Sequence, residues 1–201
     1  MVSRSRLRLS RLFGIRLRPR LSWYLHRRQR PTGVRRRVRG QETVYRLRLR
    51  EKRLLREQYD LRERQLRRVL QQAGRQDGQI TDRLTDHLEQ RLDALVWRAG
   101  FAATVNQARR LINHNSFTVD GTKVNRPSYH VQPGQIVAVR RARQEKLPFL
   151  LAAELSAARG APPPYLEVHP AELRATLTHE PRKDEVPVLR DHEFLISSTR
   201  R

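Results

Sequence analysis

Cysteine is absent from the 201 residues, which excludes disulfides, thiolate zinc sites and cysteine nucleophiles. There is no run of about 18 apolar residues, the length a membrane-spanning helix needs, and no signal segment with a continuous apolar core precedes the first basic stretch. The seven histidines are scattered without metal-ligand spacing, so neither metal nor cofactor is expected. A Gly-x-Ser-x-Gly elbow and a phosphate-cradling glycine loop are both missing; no enzymatic activity and no small-molecule substrate are expected. Acidic residues are missing from the whole stretch before Glu42. Such a segment repels itself and extends until a polyanion neutralises it.

What the chain has in quantity is arginine. Residues 1–75 carry 25 Lys and Arg against five acidic residues, a local net of +20 out of +23 for the whole chain. Nearly all of that charge is Arg, whose planar fork binds phosphate bidentately and stacks on bases where Lys offers a point charge. RNA is therefore favoured over a generic acidic protein. A mitochondrial presequence and a polybasic membrane-surface segment share this composition; Arg continues through the helical segments that follow, which the membrane-surface reading does not require. With 37% apolar and 31% charged residues, two modest domains are expected, with small cores and part of their stability supplied by the bound partner.

The pattern predicts an α+β chain: a mostly helical amino-terminal part, then a small basic module of two helices packed on an antiparallel sheet, of the kind that binds RNA. Residues 1–40 read as a basic extended arm, broken by Pro19, Pro31, Gly33 and Gly40. A helix is expected from Glu42 to about Tyr59. A second, with Asp60 as its N-cap and Glu63 three residues on, carries Leu66, Val69, Leu70 and Ala73 at helical spacing. A third is expected from about Thr81 to Ala99, with Leu84, Leu88, Leu92 and Leu95 on one stripe and Gly100 as its left-handed stop. Thr104 and Gln107 read as a capping box, opening a helix that buries Ala108, Leu111 and Ile112. Asp120-Gly121 suits the two positive-φ positions of a type I′ turn between strands at Phe117-Thr118-Val119 and Thr122-Lys123-Val124. Pro133-Gly134 turns the chain before a strand at Ile136–Val139. A short helix is expected in Leu147–Leu155.

Two blocks in order carry a resemblance. Arg91-Leu92-Asp93, Arg98-Ala99-Gly100, Gln107-Ala108-Arg109, Val119-Asp120-Gly121 and Pro127-Ser128-Tyr129 resemble the RNA-binding core of the small-subunit ribosomal protein S-four family. Tyr45 to Arg53 and Gln58 to Leu66 are similar to that family's amino-terminal helical domain, and Ser10-Arg11-Leu12 to its opening segment. The likeness resumes at Tyr165-Leu166-Glu167-Val168 and spans roughly residues 3 to 196. It implies a division into the arm at 1–40, a helical domain at 41–90 completed by 171–201, and a core domain at 91–170. It also implies a structural constituent of the small ribosomal subunit that binds the 5′ domain of its RNA at a multi-helix junction and helps nucleate assembly in the cytoplasm. Neighbouring ribosomal proteins including S-five, and mRNA near the channel where it enters, are the implied partners. The alternative is a free-standing ribosome-assembly or rescue factor on the same fold. Two departures, Arg30-Pro31-Thr32-Gly33 where the family has a Pro-Gly-Gln/Glu-His-Gly element and the ending Ile196-Ser197-Ser198, are compatible with a divergent or paralogous copy.

Charge, helix faces and the resemblance together give the RNA-contacting set. From the arm come Arg35, Arg36, Arg37 and Arg39; from the first helices Tyr45, Arg46, Arg50, Lys52, Arg53, Arg56, Arg64, Arg67 and Arg68. The core contributes Arg98, Thr104, Asn106, Arg109, Arg110, His114 and Ser128. Tyr45 and Tyr59 either stack on an unpaired base or pack between helices. Asp93 beside Arg91 reads as an ion pair or cap near a helix surface, not a general base.

Overall fold

A computed structural model describes residues 44–75, 80–150 and 161–186; the arm, including Arg35, Arg36, Arg37 and Arg39, and both departures from the family pattern lie outside them. Three helices come first: α1 (Val44–Gln58), α2 (Glu63–Ala73) and α3 (Ile80–Glu89). Leu66, Val69, Leu70 and Ala73 fall on the buried stripe of α2 and meet Leu55 and Tyr59 of the α1 end with Leu84 and Leu88 of α3 in one apolar cluster. The N-cap of α2 is Arg62, whose backbone N–H donates to Gln65 Oε1 at 2.9 Å. Asp60 does not cap as the sequence suggested: its φ of 50° puts it in the turn that ends α1, where its carboxylate faces the core domain.

The helix expected from Thr81 to Ala99 is two helices, α3 and α4 (Leu92–Arg98). Arg91 is extended (φ −66°, ψ 137°) and bridges to His130. The interruption is stabilised by a loop folding against it. Leu92 N–H donates to Tyr129 O at 2.9 Å, Asp93 N–H to Pro127 O at 3.1 Å, and Val131 N–H to Gln90 O at 2.9 Å. The single leucine stripe is consequently divided: Leu84 and Leu88 enter the helical cluster, and Leu92 and Leu95 enter the second core.

Local signals beyond this point act as expected. Gly100 adopts φ 83° after α4, and Thr104 Oγ1 accepts from Gln107 N–H at 3.1 Å at the start of α5 (Val105–Asn113). Gln107 Oε1 accepts from Ala103 N–H at 2.9 Å, one residue earlier than a standard capping box would place it. Asp120 and Gly121, at φ 48° and 78°, turn β1 (Phe117–Val119) into β2 (Thr122–Val124), and Gly134 at φ 87° precedes β3 (Ile136–Val139). Short helices α6 (Arg141–Gln144) and α7 (Leu147–Leu150) follow; the rest of the helix expected to Leu155 lies outside the described residues.

The sheet is antiparallel, in the order β2-β1-β3-β5-β4, with β4 at Leu166–His169 and β5 at Arg174–Leu177. Phe117 and Val119 pair with Val139 and Val137, and Val137 with Ala175. These alternate residues point to one face, buried with Leu92, Leu95 and Val96 of α4 and Ala108 and Ile112 of α5. β5 lies in the same sheet as β1–β3: buried Ala175 and Leu177 alternate with Arg174 and Thr176, and the strand fills the place between β3 and β4. A left-handed Leu173 (φ 51°) after the turn at Pro170–Glu172 returns the chain from β4 to β5. The fold class is α+β, a helical amino-terminal unit followed by two helices on an antiparallel sheet.

Candidate nucleic-acid interface

A cleft of about 590 Å³ opens where the end of α1 and the start of α2 face α5 and the 127–128 loop; Arg56, Arg62, Gln65, Asn106, Arg110, Asn113 and Ser128 are among its lining residues. α5 is amphipathic: Val105, Ala108 and Ile112 face the core, so Asn106, Arg109, Arg110 and Asn113 fall on the cleft side at helical spacing. Arg110, Asn113 and Ser128 are exposed. Glu57 and Asp60 line the cleft as well; the cations on both walls and the neutral donors are groups that can hydrogen-bond phosphate oxygens.

The walls are held by buried ion pairs. Asp93, whose side chain is 1% exposed, accepts from Arg91 Nε (3.0 Å) and Nη2 (2.9 Å) and from Arg109 Nε (2.7 Å). The expectation of an ion pair holds, but the residue is deep in the fold and not near a helix surface. Arg109 also donates to the backbone carbonyls of Tyr59 (2.7 Å) and Asp60 (2.5 Å), and Asn106 Nδ2 to Asp60 Oδ2 (3.0 Å). α5 is thereby tied to the turn after α1. A second knot is centred on fully buried Glu89, which accepts from Tyr59 Oη (2.5 Å), Tyr165 Oη (2.9 Å) and Arg98 Nη2 (2.6 Å). Burial and the adjacent carboxylate push the pKa of both tyrosines upward. Burial alone would lower that of Arg98, but Glu89 more than offsets it and keeps the guanidinium charged.

These contacts sort the expected RNA-contacting residues. Arg98, 8% exposed, is paired with Glu89, and leaving Glu89 unpaired in the core would be costly. Arg109 lines the cleft but its guanidinium is occupied by Asp93 and the 59–60 carbonyls, and Thr104 uses its hydroxyl to cap α5. Tyr59 packs between helices instead of offering a stacking face. Arg56, Asn106, Arg109, Arg110 and Ser128 are brought together in the cleft. Lys52 pairs with Glu63, as does Arg56 at 3.2 Å, and the bond from Lys52 holds the Glu63 carboxyl below its ordinary pKa. Arg53, Arg64, Arg67 and Arg68 are exposed on α1 and α2 outside the cleft lining, and His114 is exposed at the far end of α5. Tyr45, Arg46 and Arg50 lie on α1 with side chains outside the described set.

Comparison with known proteins agrees with this two-part architecture. The Ribosomal protein S4/S9 N-terminal domain family matches residues 2–89, and the S4 domain family matches residues 90–137. The small ribosomal subunit protein uS4 of Micrococcus luteus is 43% identical over 197 residues, covering 96% of this chain and 95% of that protein. Those of Beutenbergia cavernae and Streptomyces griseus are 42% and 40% identical over 198 and 195 residues, each with 96% of this chain covered and with 95% and 96% of their own lengths. The chain belongs to the ribosomal protein S4 family.

Within this S4-family chain, Arg62 is the cleft cation that sequence reasoning missed. With Asp60 as the expected N-cap, Arg62 falls in the first turn of the helix; in the structure it is itself the N-cap of α2 and lines the cleft. Asn113, on the face of α5 opposite Val105, Ala108 and Ile112, joins the cleft without having been among the expected RNA-contacting residues. The seam between the two family matches, at residues 89 and 90, falls at the interruption between α3 and α4.

Proposed function

We propose that this chain is a non-enzymatic structural constituent of the small ribosomal subunit, acting on the cytoplasmic ribosome, that binds the 5′ domain of small-subunit ribosomal RNA at a multi-helix junction and helps nucleate assembly. The observation that carries the reading is the cleft with Arg56 and Arg62 on one wall and Arg110 on the other, drawn from the two parts of the chain that match the two family domains. A junction of RNA helices presents phosphates from several directions to such a seat, and the +20 of residues 1–75 adds contacts around it. The relatives' name places those proteins in the small subunit. Ribosomal protein S-five and mRNA near its point of entrance are the further partners in this reading.

Sedimentation of the tagged chain from cell extract at moderate and high salt tests it. Stable co-migration with mature small subunits and translating ribosomes is the expected result. Confinement to lighter precursors or to the free pool would replace it with an assembly or rescue factor on the same fold.

A further inference from the structure

We propose that the concave face beside the β1–β2 hairpin is a second RNA subsite, seating one unpaired base on Tyr129 and its flanking phosphates on Lys123 and Arg126. The inference rests on the RNA-binding reading above and adds to it a single-stranded ligand and a place for it. A concavity of about 410 Å³ is lined there by Lys123, Asn125, Arg126, Tyr129 and Asp120, among others. The Tyr129 side chain is 36% exposed, one of few large apolar groups in the described residues that face solvent. Its backbone is fixed at both ends: its N–H donates to Arg126 O at 3.0 Å, and its carbonyl accepts from Leu92 N–H at 2.9 Å, at the interruption between α3 and α4.

One loop therefore has two functional faces. Pro127 and Ser128 line the interdomain cleft, while Arg126 and Tyr129 on either side of them line this second concavity. Lys123 and Arg126 are exposed, and neither is in an ion pair among the described residues. The acid of this face is already engaged: Asp120 Oδ2 accepts from Gln135 Nε2 and Oδ1 from Ile136 N–H, both at 2.8 Å. An exposed ring on a backbone fixed at both ends, sharing one concavity with two cations, is an arrangement that takes a base by stacking and its phosphates by charge. Because the backbone that carries the ring is already fixed, little backbone ordering entropy is lost on binding. A continuous duplex offers no free base face, so the ligand is a loop, bulge or end of an RNA.

The test uses the full chain and a short single-stranded RNA carrying 2-aminopurine, whose fluorescence is quenched by stacking, alongside the 5′-domain RNA fragment. The intact chain quenches the probe. Tyr129→Ala, with an unchanged circular dichroism spectrum, loses the quench and binds the probe roughly tenfold more weakly; Tyr129→Phe retains both, and Arg126→Gln weakens binding while keeping the quench at saturation. A folded Tyr129→Ala chain that quenches normally, or an intact chain that never quenches, overturns the proposal. So does a Tyr129→Ala chain that binds the probe normally but loses a neighbouring ribosomal protein, which would make the face a protein-docking surface. Arg110→Gln separates the two readings: it weakens binding of the junction fragment without touching the quench. If junction binding ignores Arg110 while the Tyr129 quench persists, the cleft reading fails and this one stands.

Discussion

Arg109 Nη2 donates to the backbone carbonyl of Tyr59 at 2.7 Å, across a separation of 50 residues. The same guanidinium reaches Asp93 at 2.7 Å, so one side chain joins the end of α1 to the start of α4 from its place on α5. The orientation of the cleft walls depends on this strut. Arg110, its neighbour in sequence, is exposed on the cleft and has no such obligation among the described residues.

Adjacent arginines should therefore respond differently to substitution. Arg109→Ala removes hydrogen bonds to two carbonyls and one of two cations on buried Asp93, and is expected to destabilise the fold by about 2–4 kcal/mol. Arg110→Gln should stay within about 0.5 kcal/mol of the parent while weakening RNA binding and reducing its salt slope by about one. Urea unfolding and filter binding on both variants check this; equal stability losses would contradict the division of roles.

Glu89 carries a larger share of the fold. Glu89→Gln leaves the Arg98 guanidinium buried without a counter-charge and is expected to cost about 3–5 kcal/mol. Tyr165→Phe, which removes one donor and leaves the ion pair intact, should cost about 1 kcal/mol. Thermal unfolding of the two variants should preserve that order.

Stability should depend on pH through two sites of opposite sign. His87 Nδ1 and His130 Nε2 lie 3.1 Å apart, and burial pushes both below the ordinary histidine pKa. The unfolded chain then takes up protons first as pH falls through about 6.5, so their neutral pairing stabilises above that value and loses its contribution below it. Asp86 is pushed up to about 6 by burial and by Glu180, so its favourable contribution is present below the ordinary aspartate pKa and is lost as pH rises to about 6. His87→Gln should flatten the acid limb, and Asp86→Asn should stabilise the chain at pH 7 but not at pH 3. Unfolding midpoints measured across this range would expose a wrong sign directly.

Binding to the 5′-domain fragment should be steeply salt-dependent. Neutralising about eight phosphates predicts a slope of roughly −6 to −7 for log affinity against log salt. A slope near −2 would reject an extended basic surface and confine RNA binding to a few contacts. Titration at several potassium concentrations measures it.

Much of the fold was legible because its signals are local. Gly100, Thr104 with Gln107, Asp120-Gly121 and Pro133-Gly134 act through backbone conformations and hydrogen bonds that span a few residues, and each is found where its chemistry requires it. The apolar period of α2 and α5 was readable for the same reason. The interruption at Arg91 was not, because α3 and α4 keep one continuous leucine period and the chain is broken there by hydrogen bonds from a loop almost 40 residues later.

The sequence by itself determined the charge that favours a polyanionic partner, since an arm without acids and a +20 amino-terminal region retain that property in any conformation. It also determined the order of elements and, through two blocks in succession, the family. Only tertiary structure decided which arginines are free. Arg98, Arg109 and Arg110 look alike in a linear chain, but Glu89 neutralises the first, Asp93 and the 59–60 carbonyls occupy the second, and the third faces an open cleft. The physical reason is that charge compensation depends on distance in space: the groups that claim Arg109 lie 16 to 50 residues away in sequence and meet it only when the two cores have formed.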